Sequence, residues 1–67
     1  MIINIKTNKD NVIISYAVVG KVKGGVDVDT GYTNIDDVPP LSAGYYKLID
    51  GTIAIDENLK AQIEIAQ

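Results

Sequence analysis

Asp50-Gly51 lies between two runs of apolar and β-favouring residues, 45–49 and 52–55. This stretch constrains the fold more than any other. A two-residue hairpin turn of type I′ needs positive φ at both central positions, and Asp-Gly between alternating hydrophobics is its strongest short-range signal. Aspartate tolerates that backbone conformation, and glycine enters it without a Cβ penalty. The pattern predicts an antiparallel hairpin over residues 45–55.

The remaining segments point the same way. Residues 2–7 place Ile3 and Ile5 on one face and Asn4 and Lys6 on the other, the alternation of a strand. Asn8-Lys9-Asp10-Asn11 reads as a four-residue loop, and residues 12–19 are too rich in β-branched side chains to favour helix. Residues 2–19 are therefore predicted as one hairpin. Gly24-Gly25 suggests a second, over residues 21–29, with Val22, Val26 and Val28 on one face and lysines opposite aspartates on the other. Exposed pairs of that kind contribute about 0.2–1 kcal/mol each.

Residues 30–43 are irregular. Pro39 and Pro40 cannot continue a ladder, so Ile35, Val38 and Leu41 are expected to turn inward and close a small core, with room for one helical turn. Asp56 is a candidate N-cap for a helix over residues 57–66, with Leu59, Ile63 and Ala66 forming a narrow apolar stripe. The competing reading is a last strand over residues 62–66. A ten-residue helix is marginal alone and must dock on its own sheet, on a copy of itself or on a partner. The expected class is mainly β (small α+β): an antiparallel meander of four to five strands with a short C-terminal helix, in one domain over residues 1–67.

Composition narrows the chemistry. Histidine and cysteine are both absent, so there is no disulfide and no imidazole or thiolate to hold zinc, haem or an iron–sulfur cluster. No cofactor is expected. A chain of 67 residues buries only about 60% of its unfolded surface, which leaves oligomerisation as the open route to extra stability. Nine acidic residues against six basic ones give a net charge of -3, and the six lysines are scattered with no arginine. That composition argues against nucleic-acid binding. No apolar run approaches the ~18–20 residues that span a bilayer. The first residues lack the basic and apolar regions of a signal peptide, so a cytoplasmic location is expected.

Three motifs invite a chemical reading and each has a plainer one. Asp29-Thr30-Gly31 matches the triplet of aspartic proteases, but Val-Asp-Val precedes it in place of an apolar run, and a strand end with a glycine turn accounts for it. A calcium loop starting at Asp27 would put Tyr32 and Val38 where glycine and glutamate are needed. Gly20, Gly24 and Gly25 with Lys21 and Lys23 lack the spacing of a phosphate loop. Without histidine or cysteine no nucleophile–base pair of the usual kinds can form, and an enzyme is not expected. Tyr45 and Tyr46 would place one ring on each face of a strand, one in the core and one available for contact. Tyr45, Tyr46, Leu59 and Ile63 are the candidate protein-contact residues.

Four segments together carry a resemblance. They are the Ile/Lys/Asn-rich start, Asn11-Val-Ile-Ile-Ser-Tyr-Ala-Val-Val-Gly20, Gly24-Gly-Val-Asp-Val28, and Gly44-Tyr-Tyr-Lys-Leu-Ile-Asp-Gly-Thr-Ile53. The set resembles small uncharacterised proteins encoded in the tail-gene region of phages and prophages of Gram-positive bacteria. The Tyr-Lys-x-x-Asp-Gly-x-Ile hairpin is similar to one that recurs in tail-fibre and baseplate polypeptides. The resemblance implies a non-enzymatic structural or accessory protein that binds a tail component or itself. Such a protein resides in the bacterial host cytoplasm or in the virion. A small acidic inhibitor of a host protein is the alternative.

Overall fold

The computed structural model describes residues 1–66. Five strands and one helix follow in order: β1 (Ile2–Thr7), β2 (Ile13–Ala17), β3 (Val26–Asp29), β4 (Tyr46–Ile49), β5 (Thr52–Ile55) and α1 (Glu57–Ala66). A single 3-10 turn, Ile35–Asp37, lies between β3 and β4. The chain is mainly β, as its patterning predicts, and the strands divide into two antiparallel sheets, β2-β1-β3 and β4-β5.

The first sheet is built around β1. Ile3 and Ile5 are sealed from solvent, and the register sets Ile3 beside Val28 of β3 and Ile5 beside Tyr16 of β2. Strict alternation along β2 would put Ile13 and Tyr16 on opposite faces. A β-bulge resolves this. Lys6 pairs with Ser15 and Thr7 with Ile13, so Ile14 is the extra residue; it stays half-exposed while Ile13 and Tyr16 both turn to the core. The expected strand over residues 12–19 is accordingly shorter, and Val12 leaves it to bridge Lys47 of β4.

Two expectations about connectivity are corrected here. Residues 21–23 are not a strand, so the hairpin over residues 21–29 does not form, and β3 pairs with β1 instead. The order β2-β1-β3 also makes β1 central, so the sheet is not a simple meander. The glycine turn does exist: Gly24 has φ +79 and Gly25 N–H donates to Val22 O at 3.0 Å. The arm before that turn lies over β1, where Val22 N–H donates to Asn4 Oδ1 at 2.8 Å. Pairing with β1 satisfies the ladder groups of the central strand on both edges and brings Val28 into the core, which a detached hairpin would not.

Leu41 is fully buried and Val38 packs against the core, as expected, whereas Ile35 is 59% exposed. The physical reason is local. Asn34 caps the 3-10 turn by accepting from Asp36 N–H at 3.1 Å, and one such turn has no residue buried. The core is thus Ile3, Ile5, Ile13, Val28 and Leu41, closed by Met1, Tyr16, Val18, Tyr32, Val38, Tyr46, Leu48 and Ile53.

The β4–β5 turn has φ 52 at Asp50 and φ 78 at Gly51, the two positive values that a type I′ turn requires. Leu48 N–H donates to Asn11 O at 2.9 Å, which with the Val12–Lys47 bridge ties this hairpin to the first sheet. Asp56 is the N-cap of α1: its Oδ1 accepts from Leu59 N–H at 3.0 Å. Residues 62–66 are therefore helical, not a strand. The helix docks on its own chain, with Ile63 Cδ1 only 3.1 Å from where a side chain at Gly44 would begin.

Candidate interaction surface

The hairpin β4–β5 has two different faces. Register pairs Tyr46 with Ile55 and Leu48 with Ile53, so these four share one face; Lys47, Ala54, Ile49 and Thr52 share the other. Tyr46, Leu48 and Ile53 close the core, which leaves Ile55, 41% exposed, at the rim. Beside it opens a hollow of about 460 Å³ lined by Tyr32, Pro39, Tyr46, Ile53, Ala54, Ile55 and Glu57. Aromatic rings, a proline and two isoleucines beside a carboxylate make a mixed lining of the kind expected of a contact surface.

A second hollow, of about 490 Å³, is bounded by Asn8, Asp10, Val12, Gly44, Lys47, Asp56 and Leu59. It is polar. Lys47 Nζ lies 3.1 Å from Asp56 Oδ2. The Asp56 carboxyl is held below its ordinary pKa, first by the Leu59 backbone N–H and then by Lys47. Both partners are engaged in holding the helix start to the hairpin.

The four predicted contact residues come together around the helix–hairpin junction, with one change of geometry. Tyr45 and Tyr46 do not point to opposite faces: their rings stack with centroids 4.9 Å apart and an interplanar angle of 30°. Tyr45 precedes β4, and Gly44 has φ +106, so the chain is kinked where alternation would have separated the rings. Lys60 Nζ sits 5.8 Å from the centre of the Tyr45 ring, a cation–π contact from the helix. Both tyrosines are half-buried. Burial pushes the Tyr46 phenol up from its ordinary pKa, assisted by the neighbouring Tyr45 and Tyr32 hydroxyls. Leu59 and Ile63 are also half-buried and face the hairpin. Ile65 is 85% exposed, and the Ala66 side chain lies outside the described residues.

Tyr32, Pro39, Ile53 and Ile55 were not legible as a group. Tyr32 and Pro39 belong to the irregular segment, and only the three-dimensional fold carries them to the hairpin. The acidic motifs have local roles. Asp29 Oδ1 accepts from Gly31 N–H at 3.3 Å, and the Thr30 hydroxyl donates to Met1 O at 2.8 Å, so the Asp-Thr-Gly triplet shapes a turn at the end of β3. Asp27 accepts from Asn4 Nδ2 at 2.9 Å and lies 3.7 Å from Lys21 Nζ. Among the described residues no three acidic side chains gather as a metal site. Among the described residues no helix is long and apolar enough to cross a membrane.

No curated protein and no solved structure matches the chain. A family model matches residues 3–62, a span that includes both hollows and the first turn of α1. The chain therefore belongs to the family described as "Protein of unknown function (DUF2977)".

Proposed function

We propose that this chain is a small non-enzymatic protein-interaction module, acting as a structural or accessory component in the assembly of a phage tail or baseplate. The observation that carries the reading is the hollow of Tyr32, Pro39, Tyr46, Ile53 and Ile55 on the rim of the β4–β5 hairpin. Interface cores favour aromatic and apolar side chains of this kind over charged ones. The phage setting rests on the resemblance of residues 44–53, the same segment that builds the hairpin. The non-enzymatic reading rests on the missing histidine and cysteine and on the engagement of Asp27, Asp29 and Asp56 in structural bonds.

Mass spectrometry of purified particles from a strain producing the phage tests the reading. The chain is expected there at a fixed ratio to tail components. An Ile55→Asp variant, altered at an exposed rim position, should be incorporated about tenfold less or worse, the weight of one interface anchor. Consistent absence from particles overturns the assembly role. A stoichiometric host protein in pulldowns would then support the second reading, an acidic inhibitor, which the net charge of -3 favours.

A further inference from the structure

The hairpin leaves one strand edge open. A type I′ turn makes Ile49 and Thr52 a hydrogen-bonded pair, and bonded and non-bonded pairs then alternate along the ladder. Two bonds outside the ladder fix this phase: Asp56 N–H donates inward to Tyr45 O at 2.8 Å, and Leu48 N–H donates outward to Asn11 O at 2.9 Å. By the same alternation the backbone N–H and C=O groups of Ile53 and Ile55 point away from β4. No other strand pairs with β5 among the described residues.

Natural sheet edges are usually blunted by charge, proline or a bulge. The other outer edges here carry such devices, Asp27 and Asp29 on β3 and the Ile14 bulge on β2. Thr52-Ile53-Ala54-Ile55 has none, and its register with β4 is unbroken. The side chains of Ile53 and Ile55 line the hollow with Tyr32, Pro39 and Tyr46. An added strand would bond to the edge and drop alternate side chains into that hollow, the general mode of strand addition.

Charge selects the occupant. Asp50 at one end of β5 and Glu57 at the other are exposed and have no ion-pair partner among the described residues, while Lys47 is paired with Asp56. A second copy paired about Ala54 would set the Asp50 end of each strand against the Glu57 end of the other, acid near acid. A basic-ended strand meets the opposite sign at both ends. We infer that β5 is a docking edge for an extended segment of a partner protein, apolar at alternate positions and carrying lysine or arginine at its ends, which binds as an added strand. The inference rests on the interaction reading above and names its mode.

The test is an NMR titration of the ¹⁵N-labelled full chain with the synthetic peptide acetyl-Lys-Val-Thr-Val-Thr-Val-Lys-amide. Amide shifts should centre on Ile53 and Ile55. Affinity should fall about tenfold or more when the terminal lysines are replaced by glutamate, or when alternate peptide amides on the docking edge are N-methylated. The methylated peptide leaves the protein untouched. Ile55→Pro removes an outward N–H and no ladder bond, so that variant should keep its spectrum and lose the peptide. Absence of binding, shifts centred on Lys47 and Leu59, equal affinity for the methylated peptide, or self-association through β5 would each overturn the inference. A chain found in particles but indifferent to these peptides loses the docking edge and keeps its assembly role.

Discussion

Asn4 has more structural consequence than its place on a strand suggests. It alternates with Ile3 and Ile5 and would ordinarily face solvent. Instead it is 4% exposed, because the arm before the Gly24-Gly25 turn covers it. Its amide accepts from Val22 N–H and donates to Asp27, so it holds the arm and the start of β3 to the central strand. Gly25 completes the arrangement: a Cβ there would lie 2.2 Å from Asn4 Oδ1 and 2.7 Å from Val22 Cγ2. Asn4→Ala should destabilise the fold by about 1–3 kcal/mol, through the unpaired Val22 N–H. Gly25→Ala should cost about 1–3 kcal/mol through overpacking. Urea unfolding of the double variant should give less than the sum, because removing Asn4 relieves part of the clash at residue 25.

Asp56 makes a second residue-scale prediction. Its carboxyl is depressed by Leu59 N–H first and Lys47 second, and Asp27 shifts the same way through Asn4 and then Lys21. A depressed folded-state pKa contributes stability that is fully present above the unfolded-state value of about 3.9. That contribution is lost as pH falls through the lower folded-state value. Far-UV circular dichroism should therefore show helix signal at neutral pH that weakens only below about pH 4, as pH falls from the unfolded-state value toward the depressed folded-state one. Asp56→Asn keeps a neutral acceptor but loses the ion pair with Lys47. It should start less stable at neutral pH and change less on acidification.

At the scale of elements, local chemistry was legible and long-range pairing was not. The Asp50-Gly51 turn and the Asp56 cap each depend on a few adjacent residues, and both appear where the sequence places them. The hairpin over residues 21–29 failed because valine alternation and a glycine turn describe a strand without naming its neighbour. The neighbour, β1, lies more than twenty residues away in sequence. The Ile14 bulge and the Tyr45–Tyr46 stack both depart from strict alternation, the first at a register shift against β1 and the second at the Gly44 kink before β4. Of the candidate contact residues, Tyr46 lines the hollow beside β5, Leu59 lines the one beside Lys47 and Asp56, and Tyr45 and Ile63 join the helix to the hairpin. The turn itself yields a clean prediction. Nothing lies within 4 Å of a Cβ built at Gly51, so only its φ of +78 opposes substitution. Gly51→Ala should lower stability by about 1–2 kcal/mol, and Gly51→Asn by less, because asparagine tolerates the left-handed region. Paired thermal melts check this ordering.

For the whole molecule, the first sheet and Leu41 supply five sealed or nearly sealed core residues, which the β4–β5 hairpin helps to close with Tyr46, Leu48 and Ile53, without disulfide or described metal site. The second sheet is joined to the first by the Val12–Lys47 bridge and the Leu48–Asn11 bond, and its far edge is free among the described residues. An open edge without charge, proline or bulge is a liability in a domain of this size, and the docking-edge proposal gives it a use. That availability in solution is the central claim of the account of β5, and the docking-edge inference depends on it. Native-state amide hydrogen exchange of the free protein, followed residue by residue by NMR, tests it most directly. Thr52 and Ala54 amides, bonded into the ladder with β4, should be protected, while Ile53 and Ile55 amides exchange rapidly. Equal protection of all four would contradict the account, because it would mean that another strand already covers the edge.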